Sequence, residues 1–211
     1  MKKALVISGG QFDKTCENAS YDYVIACDKG LEYAQKLNIE PDILIGDFDS
    51  LNGNFKPSEG NIETLVFPVE KDDTDTMLAV KYALQSGYSD IHITCALGKR
   101  LDPLYANLET LHYIASHNAH GEILSDHEHL FTLSDKEETV RIKKKEGWSL
   151  SLFALTEKCE GVDISGTKYH GNGYTIDSDF PLGHGNSIIS DYAEISVKKG
   201  ILLIIQSEID E

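Results

Sequence analysis

The stretch ILIGDFDS at residues 43–50 joins an apolar run to two closely spaced aspartates. An apolar run without alternation is typical of a strand buried on both faces of a parallel sheet. Asp47 and Asp49 leave the carboxyl end of that strand, where open α/β sheets bind ligands. Their carboxylates point to the same side of an extended chain and repel each other unless a cation lies between them. The stretch therefore predicts an α/β fold with a metal site, and Mg²⁺ suits such ligands because it binds hard oxygens and shares its shell with phosphates.

Apolar runs and helical patterns alternate on both sides of this stretch, from residue 1 to residue 134. The predicted strands are Ala4–Ile7, Tyr23–Cys27, Ile43–Ile45, Thr64–Phe67 and Ile91–Thr94, with weaker candidates at Glu122–Leu124 and His129–Leu133. The predicted helices are Leu31–Leu37, Met77–Gln85 and Leu104–Ala115. Gly87 is placed to end the second helix, and Asp102 and Pro103 predict the N-cap and first position of the third. This alternation predicts a mostly parallel sheet covered by helices.

The pattern changes after a charged linker at residues 134–138. Beyond it, apolar residues alternate with polar ones, as at Val140 and Ile142, Leu150 and Leu152, and Ile195 and Val197. Period-2 alternation with turn signals favours antiparallel strands. The sequence therefore predicts an α/β domain at residues 1–134 and a small antiparallel β-sandwich domain at residues 138–211.

Acidic residues follow three further predicted strands. Asp28 follows the second strand, KDDTD at residues 71–75 follows the fourth, and GKRLD at residues 98–102 follows the fifth. We assign Asp72, Asp75, Arg100 and Asp102 to metal or phosphate handling. Helix capping is the alternative for acids at helix starts, and it explains Thr74 well.

Gly9 and Gly10 follow the first strand and offer backbone N–H groups for a phosphate, although a tight turn explains such a pair equally. The sequence contains no Gly-x-x-x-x-Gly-Lys-Ser/Thr loop, which excludes a P-loop enzyme.

Charge and hydropathy exclude other classes. The chain of 211 residues has 35 acidic and 19 basic residues, a formal net charge of −16. Nucleic-acid affinity depends on Lys and Arg that neutralise phosphates, so a nucleic acid is not the expected partner. No apolar run reaches the length of a membrane span, and the N-terminal run Ala4–Ile7 is too short for a signal peptide. We therefore expect a cytoplasmic protein that does not bind membranes.

Taken in order, four motifs of the first domain resemble thiamine pyrophosphokinase. That family shows Ala-Asp-Gly-Gly, Pro-Asp-x-x-x-Gly-Asp-x-Asp-Ser, Lys-Asp-x-Thr-Asp and Gly-x-Arg-x-Asp-His before an Ala-Asn-Leu helix. The matching stretches here are CDKG at 27–30, PDILIGDFDS at 41–50, KDDTD at 71–75, GKRLD at 98–102 and ANL at 106–108. Looser matches follow in the second domain, at SLFAL (151–155), GTKY (166–169) and GHGNS (183–187).

The resemblance implies a homodimer, with sites between subunits, that transfers the diphosphoryl group of ATP to the hydroxyl of thiamine and releases AMP. On that hypothesis the site residues fall into four groups. They are Asp47, Asp49 and Asp72 for magnesium; Asp28, Asp75, Arg100 and Asp102 for catalysis; Gly9, Gly10, Lys71 and Thr74 for ATP; and Tyr169, Asn186 and Ser187 for thiamine. Asp28 would orient the hydroxyl, and Arg100 would offset charge on the transferred group.

The chain departs from the family pattern at four positions. Lys29 replaces the first glycine after Asp28, Pro103 replaces a histidine, and Gly185 and Ser187 replace the serine and glutamate around Asn186. Two alternatives follow from these changes. One is a related pyrophosphokinase that acts on another alcohol, such as a hydroxymethylpterin. The other is a module that binds a nucleotide or thiamine without turnover.

Overall fold

The computed structural model describes residues 1–16, 20–47, 62–68, 72–137 and 139–209. Backbone contacts divide the chain into two compact units, Met1–Asp126 and His127–Glu211. The strand at residues 128–134, which the sequence assigns to the first domain, pairs antiparallel with the last strand of the second unit. The predicted functional division at residues 134–138 stays a prediction.

The first unit alternates strands and helices as its sequence indicates. Its elements are β1 (Lys3–Ile7), β2 (Tyr23–Cys27), α1 (Gly30–Lys36), β3 (Ile43–Gly46), β4 (Glu63–Val66), α2 (Asp75–Gln85), β5 (Asp90–Thr94), α3 (Leu101–Ser116) and β6 (His120–Leu124). The strands form a sheet in the order β6-β5-β1-β2-β3-β4, and every pair in it is parallel. The apolar runs that predicted these strands are buried: β1, β2, β3 and β5 each bury at least four residues.

The strand order reverses beside β1. From β1 the chain adds β2, β3 and β4 on one side of the sheet, and then returns to add β5 and β6 on the other. The carboxyl ends of β1 and β5 therefore feed loops that diverge to opposite sides. In open α/β sheets this switch point leaves a crevice that binds ligands.

The helices begin and end near the predicted positions, with one correction. Beyond α2, the N–H groups of Gly87 and Tyr88 donate to Leu84 and Ala83 carbonyls, and Gly87 has a φ of +85°. This is the glycine-terminated helix end that the sequence predicts. The predictions of Asp102 as the N-cap of α3 and of Pro103 as its first residue are wrong, because the helix begins at Leu101 and its N-cap is Arg100, which makes no side-chain capping hydrogen bond. The Asp102 carboxylate is instead held by the Arg100 guanidinium.

The second unit is a sandwich of two antiparallel sheets. Its strands are β7 (Glu128–Ser134), β8 (Thr139–Lys143), β9 (Trp148–Ala154), β10 (Lys158–Ser165), β11 (Gly171–Asp177), β12 (Gly183–Asn186), β13 (Tyr192–Ser196) and β14 (Ile201–Glu208). The strands β12-β9-β14-β7 lie in one layer and β11-β10-β13-β8 in the other. Leu150, Leu152 and Leu202 from the first layer share one buried core with Val162 and Ile195 from the second.

The predicted fold class is confirmed, a mostly parallel α/β part followed by an antiparallel β-sandwich. Within the described ranges, no helix combines the length and the apolar character needed to cross a membrane.

Candidate active site

A cleft of about 620 Å³ opens at the switch point of the parallel sheet. Its walls come from the loops after β1, β2 and β5 and from the first turns of α2 and α3. Six of the residues that the sequence predicts for the site line it, namely Gly9, Gly10, Asp28, Thr74, Asp75 and Arg100. The fold therefore brings together residues that are up to 91 positions apart in the sequence.

The loop after β1 is fixed against the loop after β5. The Gly10 N–H donates to the Cys95 carbonyl at 2.7 Å, and the Gln11 N–H donates to the Leu97 carbonyl at 2.6 Å. A Cβ atom on Gly10 would lie 2.6 Å from the Leu97 oxygen, so this position requires glycine. Close backbone approach explains Gly10, and its N–H group is already used within the protein.

The Asp28 carboxylate lies directly over Gly46. Asp28 has a left-handed backbone with φ +44°, a conformation that aspartate tolerates better than most residues. A Cβ atom on Gly46 would collide with this carboxylate. Because Asp47 is the next residue, the acids that follow β2 and β3 lie at neighbouring strand ends. Asp47 does not line the cleft itself.

The first turn of α2 contributes Thr74, Asp75 and Thr76. The Thr74 hydroxyl caps the helix by accepting a hydrogen bond from the Met77 N–H at 3.1 Å. The hydroxyls of Thr76 and Ser8 are hydrogen-bonded at 2.7 Å, which ties the helix to the end of β1. Asp75 therefore reaches the cleft from a helix that is anchored at its start.

Arg100 and Asp102 form an exposed ion pair at the start of α3. Arg100 Nε donates to Asp102 Oδ1 at 3.1 Å, and a second hydrogen bond joins Nη2 to Oδ2. These hydrogen bonds raise the pKa of the Arg100 guanidinium and lower the pKa of the Asp102 carboxyl below its usual value. Arg100 lines the cleft and Asp102 does not. Both groups are fully ionised at neutral pH, and Asp102 holds the guanidinium in position.

The remaining residues predicted for the metal and ATP sites lie outside the cleft or outside the described residues. Asp72 is exposed two residues before the N-cap of α2. Asp49 and Lys71 lie outside the described residues. In the part of the chain that the structure describes, no group of three histidine, cysteine, aspartate or glutamate side chains is placed to hold a metal ion.

A second cavity, of about 520 Å³, lies within the β-sandwich. Most of its lining is apolar or aromatic, including Tyr169, Tyr174, Ile176 and Leu182. Asn186 lines it too, but its amide is used by the backbone of Tyr169: Oδ1 accepts from the Tyr169 N–H at 3.0 Å and Nδ2 donates to the Tyr169 carbonyl at 2.7 Å. Asn186 therefore holds Tyr169 at the cavity. Ser187 follows it and does not line the cavity.

Two family models match the chain, one over each part. The model described as "Thiamin pyrophosphokinase, catalytic domain" matches residues 8–123, and "Thiamin pyrophosphokinase, vitamin B1 binding domain" matches residues 137–202. The chain belongs to the thiamin pyrophosphokinase family. The first model covers the switch-point cleft, and the second covers the sandwich cavity.

Similar proteins match this chain over nearly their full length. The thiamine pyrophosphokinase of Bacillus subtilis strain 168 is 26% identical over 216 residues, which cover 98% of this chain and 99% of the relative. A crystal structure of thiamine pyrophosphokinase from Bacillus subtilis has a TM-score of 0.86 at 24% identity, with 98% and 99% of the two chains covered. A thiamin pyrophosphokinase family protein from Enterococcus faecalis has a TM-score of 0.81 at 26% identity, with both chains covered completely.

Local backbone conformation explains why three departures from the thiamin pyrophosphokinase pattern are tolerated. Lys29 has right-handed helical angles, φ −58° and ψ −19°, which any residue adopts, so this position does not need the glycine of the family. Gly185, which replaces a serine, has a left-handed φ of +75° that glycine adopts without strain. Pro103 lies in the first turn of α3, where its missing N–H costs no helical hydrogen bond.

Several residues that complete these two cavities are not predicted from the sequence. Lys29 and Asn107 line the cleft, and Asn107 Nδ2 donates to the Ala96 carbonyl at 2.6 Å. Tyr174 and Leu182 line the sandwich cavity. For Lys29 a signal exists, because it directly follows Asp28 at a strand end. Tyr174 lies in a strand whose side chains are mostly exposed, so no alternation marks it.

Proposed function

We propose that this chain transfers the diphosphoryl group of ATP to the primary hydroxyl of thiamine, giving thiamine diphosphate and AMP. As a member of the thiamin pyrophosphokinase family, the chain is an ATP-dependent diphosphotransferase. The match to a vitamin B1 binding domain favours thiamine over a pterin alcohol as the acceptor. The observation that carries the proposal is the cleft at the switch point, which is lined by the acids Asp28 and Asp75 and by cations, including Arg100, that suit a polyphosphate.

The triphosphate of ATP would occupy this cleft. Gly9 and Gly10 keep one wall free of side chains, and Thr74 and Arg100 lie among its other lining residues. Arg100 offsets negative charge on the transferred group, and Asp102 keeps its guanidinium oriented. Lys71 belongs to the same proposed ATP site on the strength of its motif alone.

Magnesium is the proposed metal, with Asp47, Asp49 and Asp72 as its ligands. The donors are hard carboxylate oxygens, and Asp28 and Asp47 follow the neighbouring strands β2 and β3, where a cation would offset their negative charge. Mg²⁺ keeps several waters and commonly takes only one or two protein carboxylates besides substrate phosphates, so the described residues fit it. When bound, the ion would neutralise charge on the phosphates.

The transfer requires the protein to position the hydroxyl and the phosphates and to compensate the negative charge of the phosphates. The thiamine hydroxyl oxygen forms a bond to the β-phosphorus, the bond from that phosphorus to the oxygen shared with the α-phosphate breaks, and AMP leaves. The hydroxyl proton is released as the new bond forms. Asp28 accepts a hydrogen bond from this hydroxyl and so directs one of its lone pairs at the phosphorus.

The sandwich cavity is the proposed thiamine site. Thiamine carries two aromatic rings and a positive charge, and both suit Tyr169 and Tyr174 in its lining. Asn186 would act through Tyr169, whose backbone it holds, and Ser187 belongs to the proposed site through its motif. The homodimer is part of the same proposal. A cytoplasmic location stays a prediction.

The function is tested by measuring AMP and thiamine diphosphate after incubation with ATP, Mg²⁺ and thiamine. A parallel reaction contains a hydroxymethylpterin instead of thiamine, and a third contains EDTA. We expect product with thiamine and Mg²⁺ only. AMP release with the pterin and none with thiamine would reject thiamine as the acceptor.

Asp28→Asn removes the negative charge of Asp28 from the cleft and leaves the size and shape of the side chain nearly unchanged. We expect kcat/KM to fall about 10²- to 10³-fold, by analogy with loss of one preorganised electrostatic contact. Asp73→Asn is the matched control, because Asp73, like Asp28, lies just before a helix but forms an ion pair with Lys81 at 2.7 Å and does not line the cleft. Equal effects of the two substitutions would mean that general charge, not the position of Asp28, matters.

A further inference from the structure

Neither the family motif nor the backbone conformation explains why position 29 of the cleft is a lysine. The family has two glycines after the aspartate, and the structure accounts for the second, because a Cβ atom on Gly30 would collide with the Ile7 carbonyl oxygen. The first position has ordinary helical angles. Its side chain is exposed and lines the cleft beside Gly9, so it brings a positive charge to this wall.

The Lys29 ammonium group is held near the Gly9-Gly10 loop by Tyr33. Lys29 Nζ lies 5.2 Å from the centre of the Tyr33 ring, and the Tyr33 hydroxyl donates to the Gly10 carbonyl at 2.9 Å. A hydrogen bond to Tyr33 is the main cause that raises the pKa of Lys29 above its ordinary value. The side chain therefore remains charged at neutral pH and is linked through one residue to the loop.

The charges that line the cleft leave a role for this cation. The acids are Asp28 and Asp75, and the cations are Lys29, Lys99 and Arg100. The Arg100 guanidinium already donates two hydrogen bonds to the Asp102 carboxylate. The Gly10 N–H already donates to the Cys95 carbonyl, so the loop has one backbone N–H fewer with which to bind an anion. A polyphosphate entering beside Gly9 and Gly10 would thus meet the Lys29 ammonium.

We propose that Lys29 binds a phosphate group of the nucleotide at the Gly9-Gly10 end of the cleft. This inference rests on the proposed function in one respect, that the cleft holds a nucleotide. The ammonium group donates to a non-bridging phosphate oxygen and stays near the Tyr33 ring. Lys29 thereby supplies positive charge at a wall where Gly9 and Gly10 contribute no side chains.

Lys36 provides a matched control on the same short helix. Its Nζ lies 5.4 Å from the centre of the same Tyr33 ring and 5.4 Å from that of Phe12, but Lys36 does not line the cleft. Lys29→Gln and Lys36→Gln remove the same charge and a similar contact with the same ring. They differ in whether that charge faces the cleft.

The test measures ATP binding by isothermal titration calorimetry in the full chain with Mg²⁺, alongside KM for ATP and for thiamine. For Lys29→Gln we expect Kd and KM for ATP to rise about tenfold, the usual worth of a charged hydrogen bond, with KM for thiamine within twofold. Lys29→Arg keeps the charge and stays within threefold of the parent, as does Lys36→Gln. Added salt weakens ATP binding less in Lys29→Gln than in the parent, because one charge contact is gone.

The outcomes separate this inference from the proposed function. If Lys29→Gln binds ATP as well as Lys36→Gln does, the inference is overturned, whatever the acceptor is. If Lys29→Gln loses ATP affinity while the parent makes no thiamine diphosphate, the inference holds and the proposed acceptor is wrong. A parent chain that binds no ATP overturns both. Thermal unfolding of each variant identifies any loss that comes from misfolding.

Discussion

Gly46 and Asp28 determine each other's position at the ends of β3 and β2. The carboxylate of Asp28 fills the space in which any other residue at position 46 would carry its Cβ atom. The Asp28 N–H also donates to the Ile45 carbonyl at 3.2 Å, so the backbone after β2 is tied to β3. The glycine of the Gly-Asp-x-Asp-Ser motif is thus explained by packing, and the packing brings two acids to neighbouring strand ends.

A double-mutant cycle measures this dependence. Gly46→Ala forces the Asp28 carboxylate away, and we expect a loss of about 1–3 kcal/mol in the free energy of unfolding, as for other overpacked sites. In an Asp28→Gly background the collision partner is gone. We therefore expect Gly46→Ala to cost at least about 1 kcal/mol less there.

Urea unfolding of the parent, the two single variants and the double variant gives the coupling free energy. Backbone effects of alanine at position 46 are common to both backgrounds and cancel in the cycle. A coupling near zero would mean that the carboxylate moves aside at no cost and that Gly46 is not needed to seat it.

Residues of the site differ in how far the sequence reveals them. Asp28, Asp75 and Arg100 are predictable because strand ends of a parallel sheet converge, so position along the chain implies position in space. Asn107 is not, since an asparagine within a helix is ordinary on a surface, and for Lys29 the one signal is its place next to Asp28 at a strand end. Lys29 and Asn107 line the cleft because the starts of α1 and α3 lie beside the strand ends, and this arrangement is known only from the structure.

At the scale of elements, burial decides which strands the sequence reveals. β1, β2, β3 and β5 are apolar because both faces are covered, and they are predicted to within a residue or two. The strands β10, β11 and β12 have no individual prediction. β10 pairs with register shifts, and β11 buries one residue of seven, so neither displays regular alternation.

Helix α2 depends on Thr74, which is also a proposed ATP ligand. Thr74→Ala removes the cap and should destabilise the start of α2 by about 1 kcal/mol, whereas Thr74→Asp keeps a capping oxygen. Amide hydrogen exchange across Asp75–Gln85 measures this local stability. We expect faster exchange for Thr74→Ala and near-parent exchange for Thr74→Asp.

Binding of ATP to the same two variants separates the two roles of Thr74. If the nucleotide phosphates lie near this residue, Thr74→Asp weakens ATP binding although α2 remains stable, because it adds a negative charge. Parent-like ATP affinity in Thr74→Asp would leave Thr74 as a helix cap alone and remove it from the proposed ATP site.

At the scale of the whole molecule, several large apolar side chains of the second unit are exposed to solvent. Phe180 is 62% and Ile189 is 63% exposed, and Tyr169 and Leu182 are also exposed. Exposed apolar side chains mark an interaction surface where they adjoin one another, and Phe180 and Ile189, which do not line the sandwich cavity, are the candidates for such a surface. They support the proposed homodimer, and a second copy of the chain would remove them from water.

The dimer is tested by sedimentation velocity over a range of protein concentrations, together with specific activity at each concentration. We expect a dimer in the parent, and in Phe180→Asp a shift to monomer at concentrations where the parent remains associated, because the charge opposes burial. Val66→Asp is the control, since Val66 is 64% exposed but lies in the first unit. If each active site needs both subunits, specific activity falls on dilution together with the dimer fraction. A monomeric parent with constant specific activity would instead show that one chain carries a complete site.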